Sequence, residues 1–384
     1  MLYIRADGNT DIGMGHVMRC LAVAEAAADR DSLHPPVFIT ADEGCCSMIG
    51  DRGFRVIVLD TDFRDMMSEL PRLKQLFQEE PDSDSTVLLV DSYQVSCDYY
   101  LELRKLVRVA CFEDMGMAYP VDLLINYNIY APGLERNYAG TGQCPARVLL
   151  GAAYMPLRKA FQEPAGYVIR DKVTDVIITT GGSDPYFAAA ALADALCGDG
   201  TIAGQGIRLH LISGPFNRFA EELKRRYQCG TVREWHGHRI AESVGGSVAV
   251  TVHEGVKDMR SLLLESDVVI SATGSTIYEV SSLGVPMIVF YFAENQRQGA
   301  EALGALTDIV NAGCFAAERG TVADRVRAAL RRCIDDRSYR ERLHSQEKGL
   351  IDGRGAHRIA GELVELETET REDHGCRKKK TIKL

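Results

Sequence analysis

The chain is predicted to be α/β, built as two doubly wound Rossmann-like domains facing each other across a cleft. Three observations predict this. Short aliphatic and β-branched runs alternate with amphipathic helical stretches, the pattern of parallel sheets covered on both faces. The alternation restarts after a stretch that carries Pro156, Pro164 and Gly166. A chain of 384 residues also exceeds the usual size of a single core, so two domains are expected.

In the first half, strands are expected over residues 2–5, 37–40, 55–59, 86–91, 108–112 and 123–126, with helices at 17–29 and 99–106 among those between them. The second half opens on a strong buried-strand run at 173–180 and continues with strands at 207–212, 248–252, 268–271 and 287–290. Helices are expected there at 188–196, 219–227, 259–265 and 276–283. Three more helical patterns follow at 322–333, 338–349 and 356–367. The expected organisation is an N-terminal domain over 1–155, a linker over 156–171, a C-terminal domain over 172–335, C-terminal helices over 336–367 and a charged, disordered tail over 368–384. Ligands of doubly wound sheets bind beyond the C-terminal ends of the strands, so the loops after strands are where function is sought.

Hydrophobic residues make up 46% and charged residues 26% of the chain, and the formal net charge is −10. That balance argues against nucleic acid or an anionic membrane as a partner. An anionic ligand must then be held by local backbone N–H groups and a few basic side chains. The 11 cysteines form no C-x-x-C pair, and no His/Cys cluster has zinc spacing. No signal-peptide pattern or membrane-length apolar run is seen, so a reducing, cytoplasmic setting with free thiols is expected. Neither metal nor cofactor is called for, and the oligomeric state is open.

The most informative segment is Arg5-Ala-Asp7-Gly-Asn9-Thr-Asp-Ile-Gly13-Met-Gly15-His16-Val-Met-Arg19. A short strand runs into a polar loop with two glycines, and His16 then opens a long Ala-rich helix. Glycines permit a tight turn, and the N–H groups of a helix start attract anions. An imidazole there suggests chemistry beside a phosphate. The dinucleotide fingerprint G-x-G-x-x-G fails, because Met18 stands where its third glycine belongs. In the second half a strand enters Gly274-Ser275-Thr276 and a helix follows. This turn offers N–H groups and two hydroxyls to a phosphate or diphosphate, and Glu279 is placed to accept from both ribose hydroxyls. Thr276 and Glu279 fit a helix capping box equally well. Asn295 and Gln296 bring paired donors and acceptors suited to sugar hydroxyls or acetamido groups, though Asn295 also fits a helix cap. Gly181-Gly182-Ser183 ends the first strand of the second half, either as a ligand loop or as a plain turn before Asp184-Pro185.

Taken in order, these elements resemble the UDP-2,4-diacetamido-2,4,6-trideoxy-β-L-altropyranose hydrolase family of pseudaminic-acid biosynthesis, with its spore-coat polysaccharide relatives. The resemblance is carried by Arg5 to Cys20, Val90-Asp91-Ser-Tyr93, Asn126-Tyr-Asn128, Leu149-Leu-Gly with Tyr154 and Leu157-Arg158, Gly181 to Asp184, and 271–296. It spans about residues 1–310. It implies the GT-B architecture, a sugar-side N-terminal domain and a UDP-binding C-terminal domain. More distantly, the second half resembles the nucleotide domain of the lipid-II-forming N-acetylglucosaminyltransferase. That likeness implies uracil near Val256, Lys257 and Met259, ribose at Glu279 and diphosphate at Gly274–Thr276.

The implied reaction is attack of water on the anomeric carbon, with C–O cleavage, release of UDP and inversion. His16 is the implied base. Asp7, Asn9, Asp91 and Tyr93 are implied to line the sugar or fix His16, and Gly13, Gly15, Arg19 and Asn126 belong to the same elements. Glu113-Asp114 departs from the family's commoner paired aspartates, as Met155-Pro156 does from an aliphatic run. Two other readings stand beside the hydrolase: a GT-B glycosyltransferase with a UDP-sugar donor, and a non-catalytic nucleotide-binding scaffold subunit.

Overall fold

The computed structural model describes residues 1–384 except 10, 80–84, 140–143, 164–165, 215–216, 228, 244–247, 369–379 and 383–384. The side chains at 229–233, 295 and 380–382 lie outside the description as well. The chain divides into two units, one of 1–162 with 353–384 and one of 163–352.

The first unit holds β1 (Leu2–Ala6), β2 (Val37–Thr40), β3 (Arg55–Val58), β4 (Val87–Asp91), β5 (Arg108–Phe112), β6 (Leu123–Asn126) and β7 (Arg147–Leu150). Their order is β3-β2-β1-β4-β5-β6-β7, and every pairing is parallel. The alternation along β1 shows why both faces must be covered. Leu2, Ile4 and Ala6 enter one core with the helix Gly15–Ala28, whereas Tyr3 enters the other with Leu73 and Phe77. The strand order reverses direction between β1 and β4, so the crevice of this sheet opens where those two strands end.

The second unit holds β8 (Asp175–Thr179), β9 (Arg208–Ser213), β10 (Cys229–Trp235), β11 (His238–Ser243), β12 (Ala249–Glu254), β13 (Val268–Ala272), β14 (Met287–Tyr291) and β15 (Val310–Cys314). Their order is β10-β11-β12-β9-β8-β13-β14-β15. All pairings are parallel except those of the β10–β11 hairpin, which joins β12 antiparallel. The predicted strands are present. The hairpin was not predicted, although its turn is short: His236 and Gly237 both have positive φ (44° and 74°), as a two-residue primed turn requires. Here the crevice lies between β8 and β13.

Two expectations about the C-terminal end need correction. The helices expected as one segment over 336–367 divide between the units. Arg337–Leu350 stays with the second, while Gly355–Thr368 returns to the first. Ala356, Ile359, Ala360, Leu363 and Leu366 bury an apolar stripe in the same core as Val17, Leu21 and Ala24, which is the physical reason for the return. The tail expected to be without structure contributes a strand, β16 (Lys380–Ile382), paired in parallel with the outer edge of β7. An open sheet edge presents unpaired N–H and C=O groups that such a segment satisfies. Residues 369–379 lie outside the described residues. No helix among the described residues is long and apolar enough to cross a membrane.

Candidate functional site

In the first unit the loop after β1 is held from within. Asn9 Oδ1 accepts from the N–H groups of Asp11 and Ile12 at 2.9 and 3.1 Å, and Gly13 N–H donates to the Asn9 carbonyl at 2.8 Å. Gly13 takes φ +75°, which a side chain would resist. The helix then starts at Gly15, and no side chain caps it at Met14. Its first N–H groups therefore stay available to a ligand.

His16, in the first turn, meets Asp91, the last residue of β4. Their separation is 75 residues in sequence and 2.6 Å between Nδ1 and Oδ1. Asp91 is buried, and burial alone would raise its pKa. Arg19 and His16 outweigh that and hold the carboxyl well below the usual range. As a carboxylate it accepts from Arg19 Nε and Nη2, each at 2.5 Å. An ionised Asp91 requires the proton of His16 on Nδ1, which leaves Nε2 as the basic nitrogen. Arg19 Nη2 also lies 3.0 Å from Nδ1, so the two donors share one carboxylate oxygen. Arg19 Nη1 donates to Tyr127 Oη at 2.6 Å and to Asp114 Oδ2 at 3.3 Å. Tyr93 donates to the same Asp114 oxygen at 2.8 Å, and its ring stands edge-on to His16 with centroids 4.7 Å apart. This constellation sits at the β1/β4 crevice and can orient a base and keep its tautomer.

Two residues expected on the sugar side are engaged in the interior. Asp7 is buried, with Oδ2 2.6 Å from Arg5 Nη1 and Oδ1 accepting from Ala41 N–H at 2.7 Å. Asn126 is fully buried, donating to Tyr138 Oη at 2.8 Å and accepting from Asn128. Both oxygens of Asp7 and both ends of the Asn126 amide are thereby used, and each braces the site from behind.

In the second unit Gly181, Gly182 and Ser183 follow β8. A Cβ on Gly214 would lie 2.1 Å from the Gly181 carbonyl oxygen, so the two loops touch through bare backbone. Asp184 caps the helix Ala188–Cys197, accepting from Ala188 and Ala189 N–H at 2.8 and 3.0 Å. Gly274, Ser275 and Thr276 follow β13 and open the helix Thr276–Leu283. Ser275, not Thr276, is the N-cap, and its side chain makes no capping bond. The capping box is therefore not what this turn builds, and the N–H groups of the helix start lack a side-chain cap. Glu279 is half-buried in the helix's first turn. Both loops sit at the β8/β13 crevice. Val256, Lys257 and Met259 come after β12, around Asp258, which caps the helix Met259–Glu265 through Ser261 N–H at 3.0 Å. Gln296 Oε1 accepts from Phe292 N–H at 2.9 Å and so steadies its own loop. The side chain of Asn295 lies outside the described residues.

One cluster has no signal in the sequence. His210, His253 and His238 form a chain: His210 Nδ1 to His253 Nε2 and His253 Nδ1 to His238 Nε2 are both 3.0 Å. Asp175 anchors one end through His210 Nε2 at 3.0 Å. The histidines sit on β9, β12 and β11, and strand register alone brings them together. His210 and His253 border a cavity of about 490 Å³ that Trp235, Ile177 and Thr251 also line. Among the described residues no group of three or more His, Cys, Asp or Glu is arranged to hold a metal ion.

The chain of histidines predicts acid sensitivity. Burial, with His210 and His238 adding, pushes the His253 pKa down from 6.5 to about 3. The unfolded chain takes up this proton below 6.5 while the folded chain refuses it, so stability is full above that pH and falls toward 3. At ~1.4 kcal/mol per pH unit the loss is about 2 kcal/mol at pH 5. Urea midpoints at pH 7.5 and 5 for wild type and His253→Gln check this. The variant should lose less on acidification, and an equal loss would remove His253 from the account.

No family model matches the chain. An uncharacterized protein of Methanocaldococcus jannaschii is 24% identical over 304 residues, 77% of this chain and 56% of that protein. The spore coat polysaccharide biosynthesis protein SpsG of Bacillus subtilis is 24% identical over 375 residues, 94% of this chain and 97% of that one. The UDP-2,4-diacetamido-2,4,6-trideoxy-β-L-altropyranose hydrolase of Campylobacter jejuni is 28% identical over 182 residues, 47% of this chain and 60% of that one. The chain thus spans little more than half the length of the first and third of these relatives. Among solved structures, MurG of Acinetobacter baumannii superposes with a TM-score of 0.64 at 13% identity, covering 95% of this chain and 99% of that one. A glycosyltransferase of Rickettsia africae gives a TM-score of 0.63 at 9% identity, covering 96% and 99%. The two parallel sheets with their crevices are those of the GT-B fold, and the chain is a homologue of the spore coat protein SpsG and of the UDP-diacetamido-trideoxy-altropyranose hydrolase.

Proposed function

We propose that the protein is an inverting UDP-sugar hydrolase acting on a UDP-linked diacetamido-trideoxy sugar. The observation that carries this reading is the His16–Asp91 pair at 2.6 Å, in the first turn of a helix with no side-chain cap. Asp91 holds the Nδ1 proton, and Nε2 takes a proton from water as its oxygen attacks the anomeric carbon. The C–O bond to the diphosphate breaks, its electron pair leaves with UDP, and the configuration inverts. Backbone N–H groups at Ser275 and Thr276 offset the charge that builds on the departing diphosphate, and Glu279 accepts from the ribose hydroxyls. Arg19 anchors Asp91, while Asp7 and Asn126 support the loops from within. The hydrolase among the homologues supports the choice of reaction and sugar. The glycosyltransferase reading differs only in the nucleophile, a sugar or lipid hydroxyl in place of water.

The test is UDP release from the diacetamido-trideoxy-altrose nucleotide with no acceptor present, beside UDP-N-acetylglucosamine. Release from the first establishes a hydrolase. Tight UDP binding without release from either turns the reading to a transferase or a scaffold. Glu279→Ala is expected to weaken UDP binding about tenfold, of the order of one or two charge-assisted hydrogen bonds. Unchanged affinity by calorimetry would remove the ribose role.

A further inference from the structure

The loop after β5 carries an unusual combination of a tethered backbone and exposed apolar side chains. Glu113 is buried and accepts from three successive N–H groups: Met115 at 2.6 Å, Gly116 at 3.1 Å and Met117 at 3.0 Å. Tyr138 donates to the same carboxylate at 2.6 Å. The next residue, Asp114, takes the hydroxyl of Tyr93 and a guanidinium N–H of Arg19. The turn is thus pinned at both of its acids. Its two side chains that reach solvent are nonetheless methionines, with Met115 69% and Met117 53% exposed. Tyr93, 58% exposed, stands between this loop and His16.

Single exposed hydrophobics are ordinary. Here three large ones sit on two loops that end adjacent strands, Tyr93 against the candidate base, and the backbone under the two methionines is held by a buried carboxylate. Fixing a loop in order to present apolar groups to water has a cost in stability unless a ligand covers them. Methionine suits that task because its flexible thioether adapts to an irregular apolar shape.

We propose that Met115 and Met117, with Tyr93, form a preorganised apolar shelf that selects nucleotide sugars bearing methyl groups, as 6-deoxy and acetamido sugars do, over their hydroxylated counterparts. This rests on the reading that the sugar is handled at His16. The two neighbouring acids divide the work: Glu113 ties the loop, and Asp114 ties Tyr93 and Arg19.

The experiment measures binding and turnover separately. In a His16→Ala background, calorimetry compares the diacetamido-trideoxy-altrose nucleotide with UDP alone, with and without Met115→Ser/Met117→Ser. The expected result is about a tenfold loss for the nucleotide sugar, or ~1.4 kcal/mol, with UDP affinity unchanged. Met115→Leu/Met117→Leu is expected to restore the affinity. With His16 present, the serine pair should raise KM by a similar factor and change kcat little. Unchanged affinity for the nucleotide sugar in the serine variant overturns the shelf, as does a leucine variant as weak as the serine one. Absence of UDP release by the wild type overturns the hydrolase reading instead, and the binding comparison still decides the shelf.

Discussion

Replacing His16 by alanine is expected to lower kcat by about a thousandfold, within the ~10²–10⁴ range of a positioned general base, and to leave UDP affinity within about twofold. The reason is geometric. His16 belongs to the first unit, whereas the proposed nucleotide loops at Gly181–Ser183 and Gly274–Thr276 belong to the second. Loss of the imidazole removes the proton acceptor and touches none of the groups assigned to UDP. Asp91→Asn should give an intermediate loss, because an amide can still accept from Nδ1–H but no longer stabilises the imidazolium formed as water is deprotonated. Single-turnover rates with a saturating UDP-sugar, together with calorimetric UDP titration, check both variants. A His16→Ala protein with turnover near wild type would end the assignment. A variant that loses turnover and UDP binding together would mean that the substitution damages the fold.

Replacing Glu69 by alanine is expected to destabilise the protein by about 3–5 kcal/mol, as removal of one partner from a buried ion pair does. Arg5 and Glu69 are both completely buried. Arg5 Nη2 lies 2.7 Å from Glu69 Oε2, and Arg5 Nη1 lies 2.6 Å from Asp7 Oδ2. Tyr99 donates to Glu69 Oε1 at 2.5 Å. Burial alone would lower the Arg5 pKa. Glu69 and Asp7 outweigh it, so the guanidinium stays charged in the core. Without Glu69 this charge keeps Asp7 as its carboxylate partner among the described residues, and the Tyr99 hydroxyl loses its acceptor. The loop that leads to His16 starts at Asp7, so turnover should fall along with stability. Chemical denaturation of wild type, Glu69→Ala and Glu69→Gln measures the effect, with glutamine intermediate because it retains an acceptor for Tyr99. A loss below about 1 kcal/mol for alanine would show that the network relaxes.

The strands at 37–40 and 108–112 were legible because a central parallel strand buried on both faces must read as a continuous apolar run, whatever its neighbours are. The βα turn at Gly13–His16 was legible because tight turns and helix starts have local chemical requirements. The β10–β11 hairpin was missed because its strands carry Arg233, Glu234, Arg239 and Glu242 among apolar residues, which blurs the alternation. The return of the helix Gly355–Thr368 to the first unit was missed because its apolar stripe fits any helix-covered face, and only packing against Gly15–Ala28 selects one.

The candidate site divides in the same way. His16, Gly181 and Gly274 stood out at turns that follow strands, and Asp91 and Tyr93 through the family resemblance; the structure sets them at the strand ends that form the crevices of their own sheets. Asp7 and Asn126 looked alike in sequence but face inward, since the direction of a polar side chain at a strand end depends on neighbours far along the chain. The sequence by itself determined the alternating elements, the glycine turns and the residue that opens the first helix, all of which follow from local periodicity and backbone chemistry. Only the tertiary structure decided that Asp91 orients His16, that Arg5 and Glu69 share one buried site, that Glu113 ties the methionine loop, and that three histidines form a chain. Each of these pairings joins residues on different elements, and strand order, register and packing bring such residues within hydrogen-bond reach.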